Sequence, residues 1–134
     1  MFNFKILPTI LGLSLLASSC GRNPGKYNLT GIWSSECYQP GAGSKYTTRT
    51  VYSPDGTFET TSSAKFIFTY TVSFSGTYKA GKNKLFETVT NSSEPAARNS
   101  LPQSQSSDLK WIDNNSVIVS TGNTKCTAIR LASN

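Results

Sequence analysis

The chain has 134 residues, 13 Lys and Arg against 7 Asp and Glu, a net charge of +6, three cysteines and no histidine. That length suits one domain. The missing histidine removes Ser-His-Asp and Cys-His catalysis, His-based metal sites and imidazole proton shuttles. A charged content of 15% is low for a disordered chain, and 36 Ser and Thr residues suit solvated strand faces and turns better than helices.

The first nineteen residues read as an address. Lys5 and the amino terminus make a short positive region, followed by an apolar run from Ile6 to Leu16. That run is shorter than the roughly 20 residues a bilayer span needs. Small residues then lead to Cys20. The segment Leu15-Leu16-Ala17-Ser18-Ser19-Cys20 resembles the bacterial lipobox. The resemblance implies cleavage before Cys20, acylation of Cys20 and a membrane partner engaged through that lipid. Gly21, where an Asp tends to retain such proteins at the inner membrane, implies the outer membrane of a Gram-negative bacterium. The alternative is a secreted protein whose signal ends near a cysteine. Residues 20–28 form a polar tether, and residues 29–134 form the domain.

With Cys20 assigned to the lipid, Cys37 and Cys126 remain. In an oxidising compartment a disulfide between them is the expectation, against two unrelated buried thiols. Two cysteines without histidine do not complete a tetrahedral metal site, so neither metal nor cofactor is expected.

Beyond residue 29 the pattern is one of short alternating runs separated by turn residues. Ser53-Pro54-Asp55-Gly56 is a turn. Phe66 to Ser75 alternates over ten residues, with Phe66, Phe68, Tyr70, Val72 and Phe74 on one face. Gly76 is read as the break after that strand and Gly81 as the next. Asn91 to Ser107 is Ser/Asn/Pro-rich without periodicity and reads as a long loop: a lid over a barrel mouth, a partner-binding loop or a disordered segment. Asp113-Asn114-Asn115 and Gly122-Asn123 are hairpin signals. About eight strands at near-regular spacing predict an all-β antiparallel sandwich or barrel.

The two ends of the domain favour the barrel. Opposed residues in an antiparallel ladder keep a constant index sum. Trp33 with Arg130, and Cys37 with Cys126, share one sum. A single register between the first and last strands thus places both pairs opposite each other and on one face. Pairing first strand to last closes a barrel and removes its edges.

Gly31-x-Trp33 with the late Arg130 resembles the lipocalin and wider calycin pattern. In that family the Arg packs across the Trp at the closed end of the barrel. Ser53-Pro54-Asp55-Gly56-Thr57-Phe58 and Gly76-Thr77-Tyr78-Lys79 are similar to segments of bacterial lipocalin-like domains. The resemblance implies one lipocalin-like antiparallel β-barrel of about eight strands. The chain is shorter than full-length lipocalins and has no evident C-terminal helix. Leu29-Thr30-Gly31-Ile32-Trp33 also looks like the opening of avidin-type barrels, but their Trp-rich biotin pocket has no counterpart here.

The remaining residues point to binding. Glu59 and Glu87 sit mid-strand and are the carboxylates placed to face inward, yet no spacing marks a catalytic pair, and no enzyme is expected. Lys79, Lys82 and Lys84 flank a turn, as a solvated hairpin tip or a contact for anionic lipid head groups or an envelope polymer. A nucleic-acid partner does not suit an exported, lipid-anchored protein. Phe58, Phe66, Phe68, Tyr70, Val72, Phe74, Phe86 and Trp111 are candidates either to fill the barrel or to line a site for a small apolar or amphiphilic ligand. The alternatives are a filled structural barrel acting through its loops, inhibitor-like, and, less favoured, a hydrolase.

Overall fold

The structure, a computed structural model, describes residues 27–65 and 68–132. The lipobox-like segment, Cys20, residues 21–26 and Phe66 lie outside the described residues. The described residues form eight strands: β1 Gly31–Gln39, β2 Ser44–Tyr52, β3 Thr57–Lys65, β4 Thr69–Ala80, β5 Lys84–Ser92, β6 Gln103–Asp113, β7 Ser116–Thr121 and β8 Thr124–Ala132. Each pairs antiparallel with its sequence neighbour, and β8 pairs with β1, so the sheet closes into a barrel.

The closing ladder has the register expected from the sequence. Arg130 lies opposite Trp33 and Cys126 opposite Cys37. The two cysteines form a disulfide with a Cα separation of 4.0 Å. It joins the first strand to the last across 89 residues of sequence.

Antiparallel order sends the connections to two ends. The turns β2–β3, β4–β5 and β6–β7 lie at one end, with the segment Tyr27–Thr30 that enters β1. This end is plugged. Leu29, Trp33, Tyr52, Phe58, Leu85, Leu109, Val117 and Ala128 form one buried apolar cluster. Burying each large side chain of this kind is worth roughly 1.5–3 kcal/mol. The connections β1–β2, β3–β4, β5–β6 and β7–β8 lie at the opposite end, which is open.

Three expectations from the sequence are corrected. Phe66 to Ser75 is not one strand: β3 runs to Lys65, β4 starts at Thr69, and these two residues pair in the antiparallel ladder. The aromatic alternation therefore straddles the break between two strands, and Phe68 sits in a bend. Gly76 does not end a strand but lies inside β4, beside an irregularity in its ladder with β5. A Cβ there would stand 1.8 Å from the Thr88 carbonyl oxygen, so the close approach of β5 requires glycine. Asn91 to Ser107 is mostly ordered structure. β5 continues to Ser92, a one-turn helix α1 spans Pro95–Arg98, and β6 begins at Gln103. The stretch showed no hydrophobic period because Gln105 and Ser107, its inward residues, face a polar interior.

Candidate functional site: a polar cup above the barrel core

Arg130 organises the closed end. Its guanidinium carbon is 4.4 Å from the Trp33 ring centroid. Its NH₂ group donates to the Asn28 and Asn114 carbonyls at 2.6 and 2.8 Å, and Nε donates to Asn115 Oδ1 at 3.1 Å. A further bond reaches the Thr30 carbonyl. One side chain thereby fixes both the entering segment and the β6–β7 turn. Burial lowers the Arg130 pKa, but from a range so high that the group stays charged. Trp33 Nε1 donates to the Leu29 carbonyl at 2.7 Å, which satisfies its buried polar tip. Trp111 meets Trp33 edge-on at 5.9 Å and donates to the Lys82 carbonyl at 3.0 Å.

Above this plug the barrel holds a cavity of about 290 Å³. Its floor is Phe58 and Leu85, and its walls include Phe74, Val89, Val119 and the disulfide. Hydroxyls dominate the rest. Ser35, Thr50, Thr60 and Ser107 line it and are all buried, with exposures of 3–8%. Tyr46, Ser62, Thr121 and Thr124 extend the lining toward the open end and are half-buried.

These hydroxyls sit at inward positions of neighbouring strands, so they meet in cross-strand pairs. Thr50 Oγ1 and Thr60 Oγ1 are 2.9 Å apart, and Ser107 Oγ and Thr121 Oγ1 are 2.6 Å apart. Glu87 is the inward carboxylate, while Glu59 is exposed. Tyr52 OH donates to Glu87 Oε2 at 2.7 Å, and Gln105 Nε2 donates to Oε1 at 3.1 Å. Burial, and then the Glu87 charge, push the Tyr52 phenol well above its ordinary value, so it remains a donor at neutral pH.

The candidate lining residues divide. Phe58 and Phe74 border the cavity. Trp111 belongs to the closed-end plug. Phe68, Tyr70 and Phe86 do not face the interior: their exposures are 70%, 46% and 54%. Val72 is half-buried and does not border the cavity. Phe86 points outward because the inward positions of β5 are its neighbours Leu85 and Glu87. Tyr70 OH bonds Glu94, at the start of α1. That bond, with Arg98 Nε to the Ser92 carbonyl at 2.9 Å, holds the β5–β6 connection down at the open end. The hydroxyl lining was not singled out in the sequence. Its signal was the density of Ser and Thr on both faces of β2 and β3.

Lys79, Lys82 and Lys84 flank the β4–β5 turn, at the closed end and away from the cavity. Lys84 pairs with Asp108 across the ladder, both exposed. Such a pair contributes ~0–1 kcal/mol.

No family model matches the chain, and no curated protein does. Among solved structures it is similar to an uncharacterized protein from Bacteroides eggerthii, with a TM-score of 0.52 and 14% identity over 77% of this chain and 99% of that one. That likeness is one of fold.

Proposed function

We propose that this is a lipid-anchored envelope protein whose lipocalin-like barrel binds one small amphiphilic or polar molecule in the cup at its open end. The observation that carries this reading is the half-open cavity of about 290 Å³ with Ser35, Thr50, Thr60, Glu87 and Ser107 buried in its wall. Its volume lies at the small end of ligand sites, which run roughly 300–1,000 Å³. A filled structural barrel would put apolar side chains at these positions. A purely apolar guest would offer no partner to the one hydroxyl proton that each cross-strand pair leaves over, at roughly 1–3 kcal/mol for each one left unpaired. A guest with hydrogen-bonding groups on one side and an apolar face toward Phe58 and Phe74 matches both parts of the lining.

The reading contains no catalytic step. Its lipocalin-like character draws support from the Trp33–Arg130 stack inside a closed eight-stranded barrel. Anchoring draws support from the lipobox-like segment Leu15 to Cys20, and the outer-membrane location from Gly21 after it. A protein partner at the mouth is the second reading, favoured by the exposed rim aromatics Tyr38, Phe68 and Tyr70.

The test is thermal unfolding against a panel of small amphiphiles and polyols, run on the native sequence and on Ser107→Leu, which fills the cup. A compound that raises the midpoint of the native chain and not of the variant supports the site. A panel without effect on the native chain, together with unchanged stability of Ser107→Leu, contradicts it.

A further inference from the structure

We propose that the closed end of the barrel is a docking face for an anionic lipid surface, so that the cup opens away from the membrane. This rests on the anchoring reading above. Three observations carry it.

The first is where the chain enters. The Tyr27 ring centroid lies 5.4 Å from that of Trp111 and 5.8 Å from Lys82 Nζ, so the tether joins the fold at the closed end. Residues 20–26, fully extended, reach no more than ~25 Å. A lipid on Cys20 therefore holds this end close to the bilayer.

The second is exposed apolar surface. Phe86, Ile112, Ile129 and Leu131 are 54–60% exposed. All belong to the closed-end half of β5, β6 and β8. The third is charge. Lys84 precedes Phe86 by two residues on the outer face of β5, and Lys110 precedes Ile112 by two on the outer face of β6. Lys79 lies opposite Phe86, and Lys82 caps the adjoining turn. Of the acids at this end, Glu59 is exposed on the outer face of β3, two strands from Phe86, and three are engaged locally. Asp108 pairs with Lys84, while Asp55 and Asp113 accept backbone bonds within their turns. Arg130 is taken up by Trp33 and backbone carbonyls. Cations beside exposed aliphatic and aromatic side chains suit the boundary between head groups and acyl chains, where apolar burial and attraction to anionic lipid add.

The experiment uses the acylated chain purified from its host membrane and reconstituted in phosphatidylglycerol-containing vesicles. A fluorophore is attached through Asn83→Cys at the closed end or Asn123→Cys at the open end, and head-group spin-labelled lipid is the quencher. Strong quenching at position 83 and little at 123 is expected. Lys79→Gln, Lys82→Gln and Lys110→Gln together lower the docking equilibrium on the order of 100-fold, and the 83 label then reads like the 123 label. Equal quenching at both positions, stronger quenching at 123, or a position-83 label shielded without lipid quenching, as by a protein partner, overturns the proposal. The intact mass of the same preparation separates the two failures. A chain without lipid on Cys20 overturns the anchoring reading and this proposal together, whereas a lipidated chain with the wrong quenching pattern overturns only the docking face.

Discussion

Arg130 stacks on Trp33 with its guanidinium carbon 4.4 Å from the ring centroid, although 97 positions of sequence separate them. The pair faces inward across the one ladder that closes the barrel. Arg130 also holds the carbonyls of Asn28, Thr30 and Asn114, which belong to two separate connections. The closed end is thus assembled around a single planar cation. Lysine has neither the fork nor the flat face that this arrangement uses.

Arg130→Lys is accordingly expected to destabilise the fold, and Arg130→Ala more strongly. The stack contributes ~0.5–2 kcal/mol and each hydrogen bond to the charged group at most ~1.5–3 kcal/mol, less where solvent reaches this half-buried side chain. A net loss of about 3 kcal/mol in urea unfolding is expected for the alanine variant. A loss below about 0.5 kcal/mol would show that the plug stands without it.

Cys37→Ser is expected to free one thiol at Cys126 and to lower stability by about 2–5 kcal/mol. The bridge spans 89 residues and ties β1 to β8. Thiol counting on the unfolded variant, beside the native chain under the same conditions, checks the pairing.

Tyr52 carries the pH dependence. Its phenol is pushed up in the folded barrel, while in the unfolded chain it ionises near pH 10. A raised folded value means that its contribution is complete below about pH 10 and is lost as the pH climbs toward the folded value. Alkaline unfolding curves are therefore expected to steepen above about pH 10, and Tyr52→Phe to flatten them. At neutral pH the same substitution removes a donor from Glu87 and is expected to cost ~1–3 kcal/mol. Identical alkaline slopes for both chains would contradict this assignment.

Gly76→Ala is expected to destabilise by at least ~1–3 kcal/mol. The added carbon meets the Thr88 carbonyl oxygen and the Val89 Cα, both of them backbone. Gly41→Ala, with open space around its position, is the control.

How much of this was legible in the sequence differs between the two ends of the barrel. The seam between β1 and β8, and through it the closed end, was readable because its determinants are rare residues whose numbering carries register: Trp33 and Arg130 at the closed end, Cys37 and Cys126 further up the same ladder. The turns at Ser53–Gly56 and Asp113–Asn115 were readable because their side chains act locally, as when Asp55 Oδ1 accepts from the Thr57 amide at 3.0 Å. The open end was not. There Ser and Thr occupy both faces of β2 and β3, so alternation does not distinguish wall from solvent. Inward hydroxyls persist because partners such as Thr50 and Thr60 satisfy one another only after the strands pair. The strongest hydrophobic alternation, Phe66 to Phe74, misled for a related reason. Its members Phe68 and Tyr70 lie at a rim, where exposed aromatics are tolerated, and the break between β3 and β4 interrupts the period.

The central claim is that the hydroxyl-lined cup holds a small molecule. Native mass spectrometry of the chain gently extracted from its own host tests it most directly. The expected result is a fraction of the barrel carrying one additional small-molecule mass, absent from Ser107→Leu prepared in parallel. A native chain that carries only its covalent modifications, and no bound mass under conditions that keep the barrel folded, would contradict the account.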